Sequence, residues 1–373
     1  MATVDNELMD LTKTLDLETF WAENERCQAF TTDKPRCSAS FSPAPDDHWA
    51  FEFMQVPSTL RYYRDKAYRD ALHREINQLT MTYVGKSFFD EDTFQNNPKR
   101  IENLFGCEFT YHEGGTPWLT HVTDDPVEFA AVLDKAESTD LATWSLSEAY
   151  LVEWEQRKQA GRPLPMLGRA GRGPATILTS ILRPETCIYW CFDHPDLMRR
   201  FRDILAEKLV ALNQILRDFS GNTEPGYMIY DDNSALFNVS LYREFCYPVL
   251  EKVLDDLAPG DATRYQHSDS SMGHLMDMQY KLGIRSVNYG PDIDAGLIRE
   301  KMPDALINGH MPPFLLRDGS PEAIRERIVA DFEKAGGNGG FNVTTAGSLA
   351  AGTGIDRMRL LMLLVQEHCR YDR

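Results

Sequence analysis

From Asp196 onward the chain repeats one alternation, an amphipathic segment followed by a short apolar run, and this rhythm limits the fold more than any other feature. In "DLMRRFRDILAEKLVALNQILRDF", Leu197, Phe201, Ile204, Leu205, Leu209, Leu212 and Leu216 fall on one helical face. "YMIY" reads as a short buried strand. The helical "LYREFCYPVLEKVLDDL" follows, with Ser240 as its expected N-cap and Pro248 as an expected bend. "ATRYQH", "IRSVNYG", "DALING" and "GFNVTTAG" continue as strands between further helices, of which Ser320–Pro321 is an expected start and Gly283 and Gly336–Gly337 are expected stops. Such alternation demands parallel strands with helices returning over them. A doubly wound sheet would carry a glycine-rich phosphate turn after its first strand, and neither GxGxxG nor GKS/T occurs. The expected fold is therefore α/β, a (β/α)8 TIM barrel, which keeps its chemistry at the C-terminal ends of the strands.

The earlier part of the chain is less regular. Residues 1–80 are expected to form an N-terminal helical extension packed on the barrel, and residues 81–373 the barrel as a single structural unit. "CEFTYHEGG" and "PWLTHVT" are strand-like, and "RKQAGRPLPMLGRAGRGP" reads as a loop.

Three strand-like runs finish in acid–base or metal-grade side chains. "YMIY" is followed by Asp231, Asp232 and Asn233, "RYQH" by Ser268 and Asp269, and "LING" by His310. Strand residues i and i+2 share a face, so His267 and Asp269 point to the same side and offer an imidazole nitrogen and a carboxylate oxygen to a divalent ion. Adjacent carboxylates repel, so one of Asp231 and Asp232 is expected to be protonated or matched by a cation, and both are candidate catalytic groups with His310. Asn233 can orient either acid. Arg169 and Arg172 belong to the one basic concentration of the chain and are candidates for holding a substrate carboxylate. His48, beside Trp49 and Phe51, is either part of a lid or next to the anchors of the N-terminal segment. Asn288 and Tyr289, which end another strand, join it as candidate substrate contacts.

Fifty-seven acidic against 39 basic residues give a net charge of −18, which argues against a nucleic-acid partner. No run has the length of a membrane span, and the acidic N-terminus lacks the pattern of a secretory leader. The seven cysteines are odd in number and scattered, which fits a reducing cytoplasm. "CIYWC" is expected to hold buried thiols at Cys187 and Cys191, with a helical metal pair as the alternative.

Taken in order, "GRAGRGPATILTSIL", "YDDNSALFNVSLYREFCYPVLEKV", "YQHSDSSMGHL", "LINGHMPPFLLRDGSPEAI" and "GGFNVTTAGSLAAGT" resemble the uroporphyrinogen decarboxylase superfamily over roughly residues 165–373. The resemblance implies a single (β/α)8 barrel with an N-terminal helical extension, a small-molecule substrate and a homodimer. In the decarboxylase branch an RQAGR segment lies near the N-terminus and a histidine in the last strand loop. Here "RAGR" lies far into the chain and "NVTTAGSL" has no histidine. The methyltransferase branch holds zinc with an H-x-C pair and a later cysteine, whereas this chain has His267, Asp269 and, near the later position, Thr345 or Ala346. The resemblance thus implies a metal-assisted methyltransferase moving a methyl group from a small methylated substrate to a corrinoid on a partner protein. His267 and Asp269, with His310 or Asp232 as a further ligand, would hold the divalent ion, Zn2+ first. A metal-independent decarboxylase acting on a tetrapyrrole or small carboxylic acid is the alternative.

Overall fold

The computed structural model describes residues 6–27 and 37–371. They fall into two compact units that interleave along the chain. One comprises the residues up to Thr93, His112–Thr116 and everything from Arg285; the other comprises Phe94–Tyr111 and Pro117–Ile284. The strands, in chain order, are β1 (Ser40–Phe41), β2 (Phe109–Thr110), β3 (Trp118–Leu119), β4 (Ala170–Arg172), β5 (Tyr227–Tyr230), β6 (Arg264–Ser268), β7 (Ser286–Tyr289), β8 (Leu306–Met311) and β9 (Phe341–Thr345).

In the first unit β7, β8, β9 and β1 pair in that order, all parallel. These strands are buried on both faces: beside the apolar Phe41, Val287, Ile307 and Val343, the polar Asn288, His310 and Thr344 are buried too. Helices Pro321–Ala335 and Ile355–His368 belong to the same unit. Ser320 starts the first of these as expected, its side chain accepting the Ala323 N–H at 3.2 Å, and Pro321 occupies the first turn. The first 80 residues are not wholly helical, because β1 lies among them and pairs with β9. Trp49 anchors the helix Asp47–Met54: it is fully buried, and its Nε1 donates to Thr353 O at 2.7 Å. Cys27 and Cys37 are joined as a disulfide, with Cα atoms 6.5 Å apart, whereas scattered cysteines suggested thiols throughout.

In the second unit β4, β5 and β6 form a parallel set, and β2 with β3 a separate antiparallel hairpin. β4 lies inside the stretch read as a loop. Its "AGR" carries no apolar pattern, and Gly171 is there because a Cβ would stand 2.3 Å from the Tyr227 hydroxyl. The helix Pro195–Ser220 matches the predicted periodicity and buries Phe201, Ile204, Leu205, Leu209 and Leu212. After β5, the cap of the next helical segment is Asn238, whose Oδ1 accepts the Leu241 N–H at 3.0 Å, and not Ser240. Tyr242–Cys246 form a π-turn before the helix Tyr247–Leu257, where Pro248 sits in the first turn. Proline has no N–H for the carbonyl four residues earlier, so the ladder widens there instead of continuing.

Cys187 and Cys191 are buried free thiols. Among the described residues, no helix is long and apolar enough to cross a membrane.

Candidate functional site

β5 and β6 run side by side, with Tyr230 opposite His267. Along β5, Tyr227 and Ile229 are buried, while Met228 and Tyr230 are 37% and 38% exposed. Cross-strand partners point to the same face. The open face therefore carries Tyr230 beside His267, with Met228 beside Tyr265 one step back. The rings confirm the grouping: Tyr230 and Tyr265 have centroids 6.2 Å apart, and Tyr230 and His267 5.9 Å.

Just past the strand ends the two loops are laced together. Asp231 N–H donates to His267 O at 2.9 Å. Ser268 Oγ donates to Asp231 O at 3.0 Å, and Asp269 N–H donates to Asp232 Oδ1 at 3.1 Å. This lacing brings Asp232, His267 and Asp269 to one point, with one ligand-grade atom from each lying within 4.8 Å of the others. His267 Nε2 is 3.4 Å from both Asp232 Oδ1 and Asp269 Oδ1. Such spacing is longer than a strong N–H···O bond, so the three donors surround a common point more than they satisfy one another. An imidazole nitrogen with two carboxylate oxygens is a fitting donor set for Zn2+ or another borderline divalent ion, and three protein ligands leave room for a further one. Both acids are half-exposed and open to solvent.

Asp231 has different surroundings. It is completely buried, and its Oδ1 accepts the Thr176 N–H at 2.8 Å at the start of the helix Pro174–Ile181. The other carboxylate oxygen has no hydrogen-bond partner among the described residues, and burial pushes the group up to about 6. Gly173 makes the approach possible, since a Cβ there would stand 2.3 Å from the Asp231 side chain. Asn233 is tied to the same helix: its N–H donates to Thr176 Oγ1 at 3.1 Å and its Nδ2 to Thr179 Oγ1 at 2.8 Å.

Arg169 forms a surface ion pair with Glu224 at 2.9 Å. Arg172 lies opposite Tyr230 on the open face, and its Nη1 meets the buried Glu102 at 3.0 Å. Tyr230, Tyr265 and Glu102 escaped the sequence reading. Tyr265 was findable from its i, i+2 relation to His267, whereas Glu102 carried no signal because its partner lies 70 residues away.

The remaining candidates lie in the other unit. His310 is buried, its Nε2 bonded to Ile293 O and its Nδ1 without a partner among the described residues. Burial lowers it to about 4, so it is neutral at ordinary pH. Asn288 is a buried connector: its Nδ2 donates to Asn308 O and Thr345 O, and its Oδ1 accepts the Gly347 N–H at 2.9 Å. Tyr289 is fully buried, with its hydroxyl directed at the Met302 sulfur. His48 is exposed and borders a cleft of about 400 Å³ with Phe51, Glu52, Gln55 and Thr59.

Comparison with known proteins gives two findings. The sequence model of the family described as "Uroporphyrinogen decarboxylase (URO-D)" matches residues 101–368. Among solved structures, a methyltransferase from Methanosarcina mazei superposes with a TM-score of 0.58 at 14% identity, covering 94% of this chain and 98% of that one. No curated protein matches the sequence. The fold is the expected one, α/β of the (β/α)8 TIM-barrel class with an N-terminal helical extension.

Proposed function

Because the chain belongs to the uroporphyrinogen decarboxylase family, we propose that it is a metal-assisted methyltransferase, with Asp232, His267 and Asp269 as the ligands of a divalent cation. The observation that carries this reading is the convergence of those three side chains at the adjoining ends of β5 and β6. The fold likeness to a methanogen methyltransferase agrees with it. A bound divalent ion with an open position supplies Lewis acidity towards the leaving group of a methylated substrate. A corrinoid on a separate carrier protein is the proposed methyl acceptor.

The chain's own residues have separable tasks. Asp232 accepts the Asp269 N–H, so one acid fixes the loop that presents the other. Asp231 holds the β5 loop against the helix Pro174–Ile181 and so sets where Asp232 projects. Tyr230 and Tyr265 wall the site on its open face.

Metal analysis tests the proposal. Protein dialysed against Zn2+ should retain about one ion per chain, as expected for a three-ligand site with an open position. His267→Ala and Asp269→Ala should each lose it, while Asp231→Asn should keep it. Full retention by both alanine variants, or no retention by the parent, sinks the reading. The second reading, a metal-independent decarboxylase, is favoured by the position of Arg172 on the open face. It predicts release of carbon dioxide from a carboxylic acid with no metal bound.

A further inference from the structure

Tyr230 belongs to two places. Its ring faces His267, and it also borders a cavity of about 410 Å³ whose walls include Lys99, Arg100, Glu102, Arg172 and Leu212. Register explains the connection: Arg172 is opposite Tyr230, and Tyr230 is opposite His267, so the three form one row across β4, β5 and β6. Strands lie about 4.8 Å apart, which puts the backbones of Arg172 and His267 about 10 Å from each other. The row is charged and aromatic, and Tyr230 is 38% exposed.

The charge around this cavity opposes that of the whole molecule. In a chain of net charge −18, three cations and a single acid border it. Lys99 and Arg100 rest on aromatic rings, Lys99 Nζ 4.9 Å from the Trp144 centroid and the Arg100 guanidinium 4.9 Å from that of Phe109. No carboxylate compensates either of them among the described residues. Arg172 meets Glu102 through Nη1 alone, which leaves its other guanidinium nitrogens for a further acceptor. Leu209, Leu212 and Leu216 make part of the wall apolar.

We infer that this cavity receives the substrate and selects an organic carboxylate with a planar, apolar body. The carboxylate lies at Arg172 and Arg100, the body lies along Tyr230, and the opposite end reaches Asp232, His267 and Asp269. Guanidinium forks favour carboxylates by charge-assisted hydrogen bonds, and an aromatic face favours a flat partner. The inference rests on the proposed site for its reacting end, but the carboxylate pocket itself needs no metal.

The test is calorimetric titration of the full chain, chelator-treated and Zn2+-loaded, with para-hydroxybenzoate and its neutral isostere para-hydroxybenzamide. The carboxylate should bind roughly tenfold tighter than the amide in both metal states. Arg100→Gln should reduce that preference severalfold. The double variant Arg172→Gln/Glu102→Gln, which leaves no buried charge unpaired, should abolish it. Tyr230→Leu should weaken both probes equally. Equal affinity for the two probes, no binding of either, or a preference untouched in both arginine variants overturns the inference. A preference that survives in protein unable to take up Zn2+ upholds the pocket while removing the metal-assisted reading.

Discussion

Asp231 and Asp232 carry the same chemical group one peptide apart, yet one is sealed from water and the other stands half-exposed beside His267. The pair follows β5 in a turn, where Asp231 is held by its N–H to His267 O and by the Thr176 N–H on its Oδ1, while Asp232 accepts the Asp269 N–H at the open side. The sealed acid depends on Gly173. Gly173→Ala would place a Cβ against the Asp231 carboxyl carbon, and overpacking of that kind costs about 1–3 kcal/mol, readable as a lower urea midpoint with an unchanged slope. The same variant should also weaken Zn2+ retention, because the loop bearing Asp232 moves with Asp231. Unchanged stability would mean that the carboxyl relaxes freely and does not fix the loop. His267 with Asp269 was legible as a candidate metal pair from spacing, with Asp232 and His310 as the two candidates for a third ligand; the structure brings Asp232 beside the pair through the β5–β6 pairing, 37 residues away in sequence.

Elements were legible where periodicity was strong and illegible where pairing overrode it. The long helix Pro195–Ser220 and strand β5 follow the apolar pattern closely, whereas the polar β6, "RYQHS", was marked by its place in the alternation. β4 has neither mark: three small or charged residues become a strand only because β5 offers its backbone in register. The segment after β5 shows the same limit on a finer scale. Ser240 and Asn238 are both acceptable caps by type, and the turn following Leu236 decides for Asn238. Asn238→Ala should therefore cost about 0.5–2 kcal/mol in chemical denaturation, whereas Ser240→Ala should be nearly neutral. The reverse ranking would return the helix start to Ser240.

At the scale of the whole molecule, the pH dependence of stability should carry a mark of His310. Burial holds its imidazole down at about 4, below the ordinary value of 6.5, so the unfolded chain takes up the proton first as pH falls. Its contribution is intact above pH 6.5 and is lost progressively as pH falls to about 4, amounting to about 3 kcal/mol at 1.36 kcal/mol per unit. His310→Gln, which can still donate to Ile293 O, should lessen the loss of unfolding free energy between about pH 7.5 and pH 4.5 relative to the parent. Equal losses would mean that His310 is already free to protonate in the folded state. The alternating architecture, the acidic balance and the crowding of acids and imidazoles at strand ends are written in the order of residues, because these are properties of neighbours along the chain. That Asp232 joins His267 and Asp269 while Asp231 turns inward, and that Arg172, Tyr230 and His267 stand in one row, follows from how the folded strands pair. Strand register is set by pairing between distant segments, and a shift of one residue would reverse every one of those faces.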